Sequence, residues 1–163
     1  MAIKDGLLSE YDHEMATTRR LLERVPDDKL AWKPHAKSKS LGELSSHVAN
    51  LPLWGLTILN DASFDLAEPL PGAADHHSRQ EIVAAFDRAV ANTRATLNRT
   101  DPEFVAPWTL KRGGHEMFTL PRIAALRSFV LSHIIHHRGQ LSVYLRLNDV
   151  PLPPIYGPTA DEG

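Results

Sequence analysis

Between Pro121 and Leu147 the chain is predominantly apolar and carries no internal proline, which one long helix accommodates most simply. A helix of that length must bury its apolar stripe against partners of comparable length, which favours a helical bundle. Inside it, Leu131–Arg146 reads LSHIIHHRGQLSVYLR. Residues four apart on a helix lie one turn above each other on the same face. His133 and His137 stand at that spacing, so their imidazoles can converge on one point. Neutral imidazole is the commonest protein ligand for zinc, nickel and related ions, and such a pair makes half a site.

The remaining chain supplies partners of the right length. From Lys4 to Val25, residues Leu7, Leu8, Tyr11, Met15, Thr18, Leu21, Leu22 and Val25 recur at three- and four-residue intervals, the period of an amphipathic helix. Ser40-Leu41-Gly42-Glu43 has the form of a capping box and predicts a second helix over Leu41–Asn60. Pro52 lies within it and predicts a kink near Val48. His47 shares the stripe of Leu44 and Leu51 and is expected to point inward. After a loop over Asp61–His77, Ser78-Arg79-Gln80-Glu81 repeats the capping form and opens a third helix to Asn98. Thr100–Leu120 reads as a long connection, of the kind that carries function or covers a site. Pro121 suits the first turn of the fourth helix. The tail from Asn148 to Pro158 cannot be helical, yet Leu152, Ile155 and Tyr156 are apolar enough to lie against the bundle. The expectation is one all-α, four-helix-bundle domain over residues 1–163.

Composition removes several function classes. With 18 Lys+Arg against 20 Asp+Glu and no basic block, nucleic acid is a poor partner. The absence of cysteine excludes disulfides, a Cys-ligated zinc site and a Cys nucleophile. The early acidic residues and missing apolar core of a signal peptide make cytoplasm the expected location, and no apolar run is long enough to span a membrane. Of the nine histidines, His13, His35, His76, His77 and His115 fall in polar or loop-like contexts and are expected to be solvated.

Joining His47 to His133 and His137 gives three imidazoles with an open coordination position, the pattern of a catalytic rather than a closed structural site. Packed, hydrogen-bonded core histidines are the alternative. His136 lies about 60° around the helix from His133 by the 3.6-residue period, which leaves it open as ligand, supporting partner or exposed residue.

These residues resemble a family. Trp32-Lys33-Pro34-His35, the run from Ser40 to His47, the segment ending His136-His137-Arg138-Gly139-Gln140 and the tail PPIYGPTADE together look like the DinB/YfiT-like family, from about Tyr11 to Glu162. The resemblance implies a four-helix bundle with a long crossover and a divalent metal, usually zinc or nickel. One His of the second helix and two of the fourth would hold it, which are His47, His133 and His137 here. It also implies a homodimer, and a reaction class of which low-molecular-weight thiol transfer is one example, as in bacillithiol transferases and mycothiol-dependent maleylpyruvate isomerase.

Other positions carry weaker signals. Arg138 and Gln140 could orient a ligand or meet substrate; a carboxylate partner for Arg138 and a helix contact for Gln140 are the plainer roles. Tyr144 reads as a core tyrosine with a satisfied hydroxyl, Trp54 and Trp108 as pocket walls or packing, Glu43 as a cap, and Asp12 and Glu14 as solvated. The combined expectation is a metal-dependent enzyme whose partner is a small molecule, with thiol-dependent S-transfer to small electrophiles as its reaction. A hydrolase and a non-catalytic, stress-linked metal-binding scaffold are the rivals.

Overall fold

The structure is a computed structural model and describes residues 2–162. Helix α1 spans Ile3–Leu22, α2 Leu41–Asn50, α3 Trp54–Asn60, α4 Arg79–Thr96, α5 Asp101–Val105, α6 Arg122–Leu126 and α7 His133–Leu147. Strands β1 (Ser63–Asp65), β2 (Pro107–Arg112) and β3 (His115–Pro121) form a three-stranded sheet in that order. Each of α1 and α2 packs against both α4 and α7, closing a ring of helices around one core. Tyr11, Leu21, Leu44, Val48, Phe86, Ile134, Leu141 and Leu145 are among its fully enclosed side chains.

The chain is mostly helical, but it is not all-α. The stretch read as a connection after Thr100 is α5 followed by a β-hairpin. Its strands carry a weak alternation, with Trp108 and Leu110 inward, and its turn is Gly113-Gly114 at φ values of 58° and 81°. Such positive φ angles make the turn that matches strand twist, and glycine adopts them without steric penalty. Asp65, at the end of β1, fastens the turn by accepting from the Gly113 and Gly114 amides at 2.8 and 2.6 Å. β1 pairs parallel to β2, and β2 antiparallel to β3.

Two helices depart from the regular rods expected. Pro52 breaks the second one at a 3-10 turn over Leu51–Leu53, slightly beyond Val48. Lacking an N–H, Pro52 cannot reach the Val48 carbonyl, and the Leu51 amide is shared between the His47 and Val48 carbonyls instead. The Pro52 carbonyl accepts from buried Thr93 on α4 at 2.6 Å. Gly55 permits that approach, since a Cβ there would stand 2.3 Å from Thr93 Cγ2. The long C-terminal helix is continuous from Arg122, but Arg127–Ser132 is a π-helical turn immediately before His133. Pro121 caps it from one position outside rather than sitting in the first turn. π turns insert an extra residue into the helix and recur at functional sites.

The tail packs in part as expected, with Ile155 half-buried but Tyr156 largely exposed and held by its hydroxyl contacts. Leu152 is buried, Thr159 Oγ1 donates to the Leu152 carbonyl at 2.8 Å, and Arg146 pairs with Asp161 and Arg24 with Glu162. Among the described residues, no helix is long and apolar enough to cross a membrane.

Candidate metal centre

His47 reaches the centre from the second turn of α2, a helix fixed at its start by the expected capping box. Glu43 N–H donates to Ser40 Oγ at 3.1 Å, and Ser40 N–H to Glu43 Oε2 at 2.6 Å. His133 and His137 come from consecutive turns of α7, which packs on α2. The three expected residues meet: one ring nitrogen from each lies within 4.8 Å of the others. Ring centroids stand 5.2 Å apart for His47–His133, 4.5 Å for His47–His137 and 4.8 Å for His133–His137. The closest approach is His47 Nε2 to His133 Nε2, at 3.4 Å. Two nitrogens held at 2.0–2.1 Å from one tetrahedral ion would stand about 3.4 Å apart, so this pair already has ligand spacing.

Protonation favours the same use. His137 Nδ1–H donates to Gln140 Oε1 at 2.7 Å, which leaves Nε2 as the nitrogen with a free lone pair. Burial, and then the neighbouring His137, His133 and Lys39, push His47 down to about 4. Burial is also the leading cause that lowers His133 and His137. All three imidazoles are therefore neutral near pH 7, the form that binds a cation. The three-His group could hold a metal ion.

The match of the DinB family model runs over residues 2–163. The chain belongs to the DinB family. It is 27% identical over 160 residues to the uncharacterized protein YrdA of Bacillus subtilis (strain 168), covering 97% of this chain and 90% of that one. Two solved structures share the fold. A DinB-like protein of Bacillus subtilis, YjoA, superposes with a TM-score of 0.71 at 21% identity, covering 93% of this chain and 98% of that chain. A DinB-like protein of Bacillus cereus ATCC 10987 gives 0.72 at 21% identity, covering 95% and 98%.

In this DinB chain the His136-His137-Arg138-Gly139-Gln140 run serves two faces. His137 and Gln140 face the centre. His136 is exposed, its ring beside that of His137 at 4.8 Å. Arg138 points the other way into the core, where it is 1% exposed. Its Nη2 donates to Glu14 Oε2 and to Tyr156 Oη, both at 2.6 Å, and its Nη1 donates to Thr18 Oγ1 and the Glu14 carbonyl at 3.1 Å. Tyr156 Oη donates in turn to Glu14 Oε2 at 2.9 Å. The expected carboxylate partner of Arg138 is thus Glu14, which corrects the expectation that Glu14 is solvated. Its position beside Met15 and Thr18 on the α1 stripe was the available signal. Asp12 is exposed as expected and paired with Arg94 at 2.7 Å.

Trp108 is fully buried and serves packing. Trp54 is half-buried against Phe64 and Phe129, with ring centroids at 5.1 and 5.2 Å. Tyr144 satisfies its hydroxyl by donating to the Lys39 carbonyl at 3.3 Å. His13, His35, His77 and His115 are exposed as expected. His76 is not: it is half-buried, held where its backbone N–H meets Ser46 Oγ at 3.0 Å, and its Nε2 is enclosed.

Proposed function

We propose that His47, His133 and His137 hold a divalent metal ion, zinc or nickel, and that the protein is a thiol-dependent S-transferase acting on small electrophiles. The observation that carries the metal assignment is the convergence of three neutral ring nitrogens within 4.8 Å, from two helices fixed independently of any ligand. Three neutral donors leave a fourth position open and add no negative charge of their own. A divalent ion bound there supplies Lewis acidity that favours the ionised form of a thiol at the open position.

The chain's own residues account for the rest. Gln140 keeps the His137 proton on Nδ1, so Nε2 remains a donor. Half-burial of all three imidazoles excludes bulk water from one side of the centre. Among the described residues, α7 contains no carboxylate and α2 only Glu43, which is engaged by the Ser40 amide and by Lys33. That environment suits an anionic nucleophile better than a water that needs a nearby carboxylate base, which favours transfer over hydrolysis.

The test is conjugation of bacillithiol, mycothiol and glutathione to a model electrophile. Metal-loaded protein should outpace its His137→Ala variant with at least one of these thiols. Equal rates across all three would remove the transferase reading, and a metal that exchanges no ligand would leave the scaffold role. A homodimer, tested by sedimentation, is part of the same proposal.

A further inference from the structure

Arg138 is the one charged residue in the buried stripe of α7. That stripe is Ile134, Arg138, Leu141 and Leu145, and the three aliphatic members are 0% exposed. A buried ion pair is often no more stabilising than well-packed apolar side chains of similar volume. Fold stability alone therefore does not call for a guanidinium at this place. What the guanidinium adds is direction. Its Nη1 and Nη2 reach four acceptors at 2.6–3.1 Å, three of them on α1 and the fourth the Tyr156 hydroxyl of the tail.

Tyr156 makes a contact of the same kind. Its side chain is 65% exposed, so it gains little from burial. Its hydroxyl nevertheless accepts from Arg138 and donates to Glu14, and the guanidinium carbon lies 5.1 Å from its ring centroid. The tail is pinned on both sides of it. Leu152 is buried and its N–H donates to Asp161 Oδ2 at 2.9 Å, while Glu162 meets Arg24 Nη2 at 2.6 Å.

Arg138 directly follows His137 and lies about 100° round the helix from it, and about 140° from His133. The guanidinium and the two imidazoles thus leave α7 on different sides. Ring nitrogens about 5–6 Å from the helix axis move by about 1 Å when the helix turns by about 10°. A functional constellation tolerates about half of that. Apolar packing is non-directional and resists such a turn weakly, whereas hydrogen bonds weaken steeply off their axes. We propose that Arg138, held by Glu14 and Tyr156, is a positioning residue that sets the rotation of α7 at which His133 and His137 meet His47. The C-terminal tail is thereby coupled to the metal centre. This rests on the metal reading above and deepens it. Coupling is reciprocal, so a bound ion favours the docked tail by the same factor as the docked tail favours the ion.

The experiment reads the zinc affinity of the full chain by competition with a chromophoric chelator, and the visible spectrum of the cobalt(II)-loaded chain as a record of ligand geometry. Glu14→Leu with Arg138→Met replaces the buried pair by apolar side chains. Its urea midpoint should stay near that of wild type, while zinc binding weakens about tenfold and the cobalt bands change. Should this double variant fail to fold, Arg138→Lys, which keeps the charge without the planar fork, takes its place. Tyr156→Phe should weaken zinc about fivefold, the low end for coupled sites, and zinc should slow amide exchange at Leu152 by the same factor. Ile82→Val, in the core on α4, loses comparable stability and should bind zinc as wild type does. Unchanged affinity in the double variant overturns the role of Arg138, and unchanged affinity in Tyr156→Phe that of the tail. An equal loss in Ile82→Val overturns both. In each case the metal reading stands. Failure of wild type to take up zinc overturns the metal reading and this inference with it.

Discussion

The Glu14–Arg138 pair is where the structure makes its sharpest claim about stability. Replacing Glu14 by Ala removes the carboxylate paired with a guanidinium that is 1% exposed, together with one hydrogen bond to Tyr156. Removing one partner of a buried pair leaves an uncompensated charge and costs about 3–5 kcal/mol. At about 2–4 °C per kcal/mol for a chain of this size, Tm should fall by roughly 6–20 °C. Glu14→Ala with Arg138→Met should be much less costly than the sum of the single variants, because the orphaned charge is gone. Tyr156→Phe should cost less, about 1–2 kcal/mol, because it leaves the ion pair and removes two hydrogen bonds at a side chain 65% exposed. Urea unfolding of wild type, the Glu14 and Arg138 single variants and the double variant gives the cycle, with Tyr156→Phe measured beside them. A Glu14→Ala cost below 1 kcal/mol, or additive single effects, would refute the argument that the pair is buried and interdependent.

Other outcomes follow from the same geometry. Gln140→Leu should weaken metal binding about 10–100-fold, measured by competition with a chromophoric chelator, since it frees the His137 tautomer. The folded state holds His47 at about 4, below the ordinary 6.5, so between those values the unfolded chain binds more protons. The contribution of neutral His47 is therefore complete above pH 6.5 and is lost as pH falls toward 4; His47→Ala should flatten that part of the metal-free stability profile. Gly55→Ala should cost about 1–3 kcal/mol because its Cβ meets Thr93, whereas Gly139→Ala, with nothing within 4 Å, should gain about 0.5–1 kcal/mol; thermal melts separate the two.

What the sequence revealed and what it concealed have distinct physical causes. The three candidate ligands were legible because helical spacing turns sequence into geometry: four residues place His133 under His137, and the α2 stripe turns His47 inward. The caps at Ser40 and Ser78 were legible for the same local reason, although Glu81 bonds the His77 amide rather than completing its box. The sheet was concealed because its burial alternation is confined to Trp108 and Leu110, while β3 is largely exposed and carries no inward pattern of its own. Glu14 was misread because a carboxylate on a helix is ordinarily solvated; only its partner from α7, 124 residues away, makes burial affordable.

The central claim is that one divalent ion occupies the meeting point of His47, His133 and His137. Metal content by mass spectrometry, on tag-free protein reconstituted with zinc or nickel, tests it most directly. About one ion per chain should be retained by wild type and by His136→Ala, and lost from His47→Ala, His133→Ala and His137→Ala while each variant stays folded. Wild type without metal after reconstitution, or loss of metal in His136→Ala with retention in His137→Ala, would contradict the account.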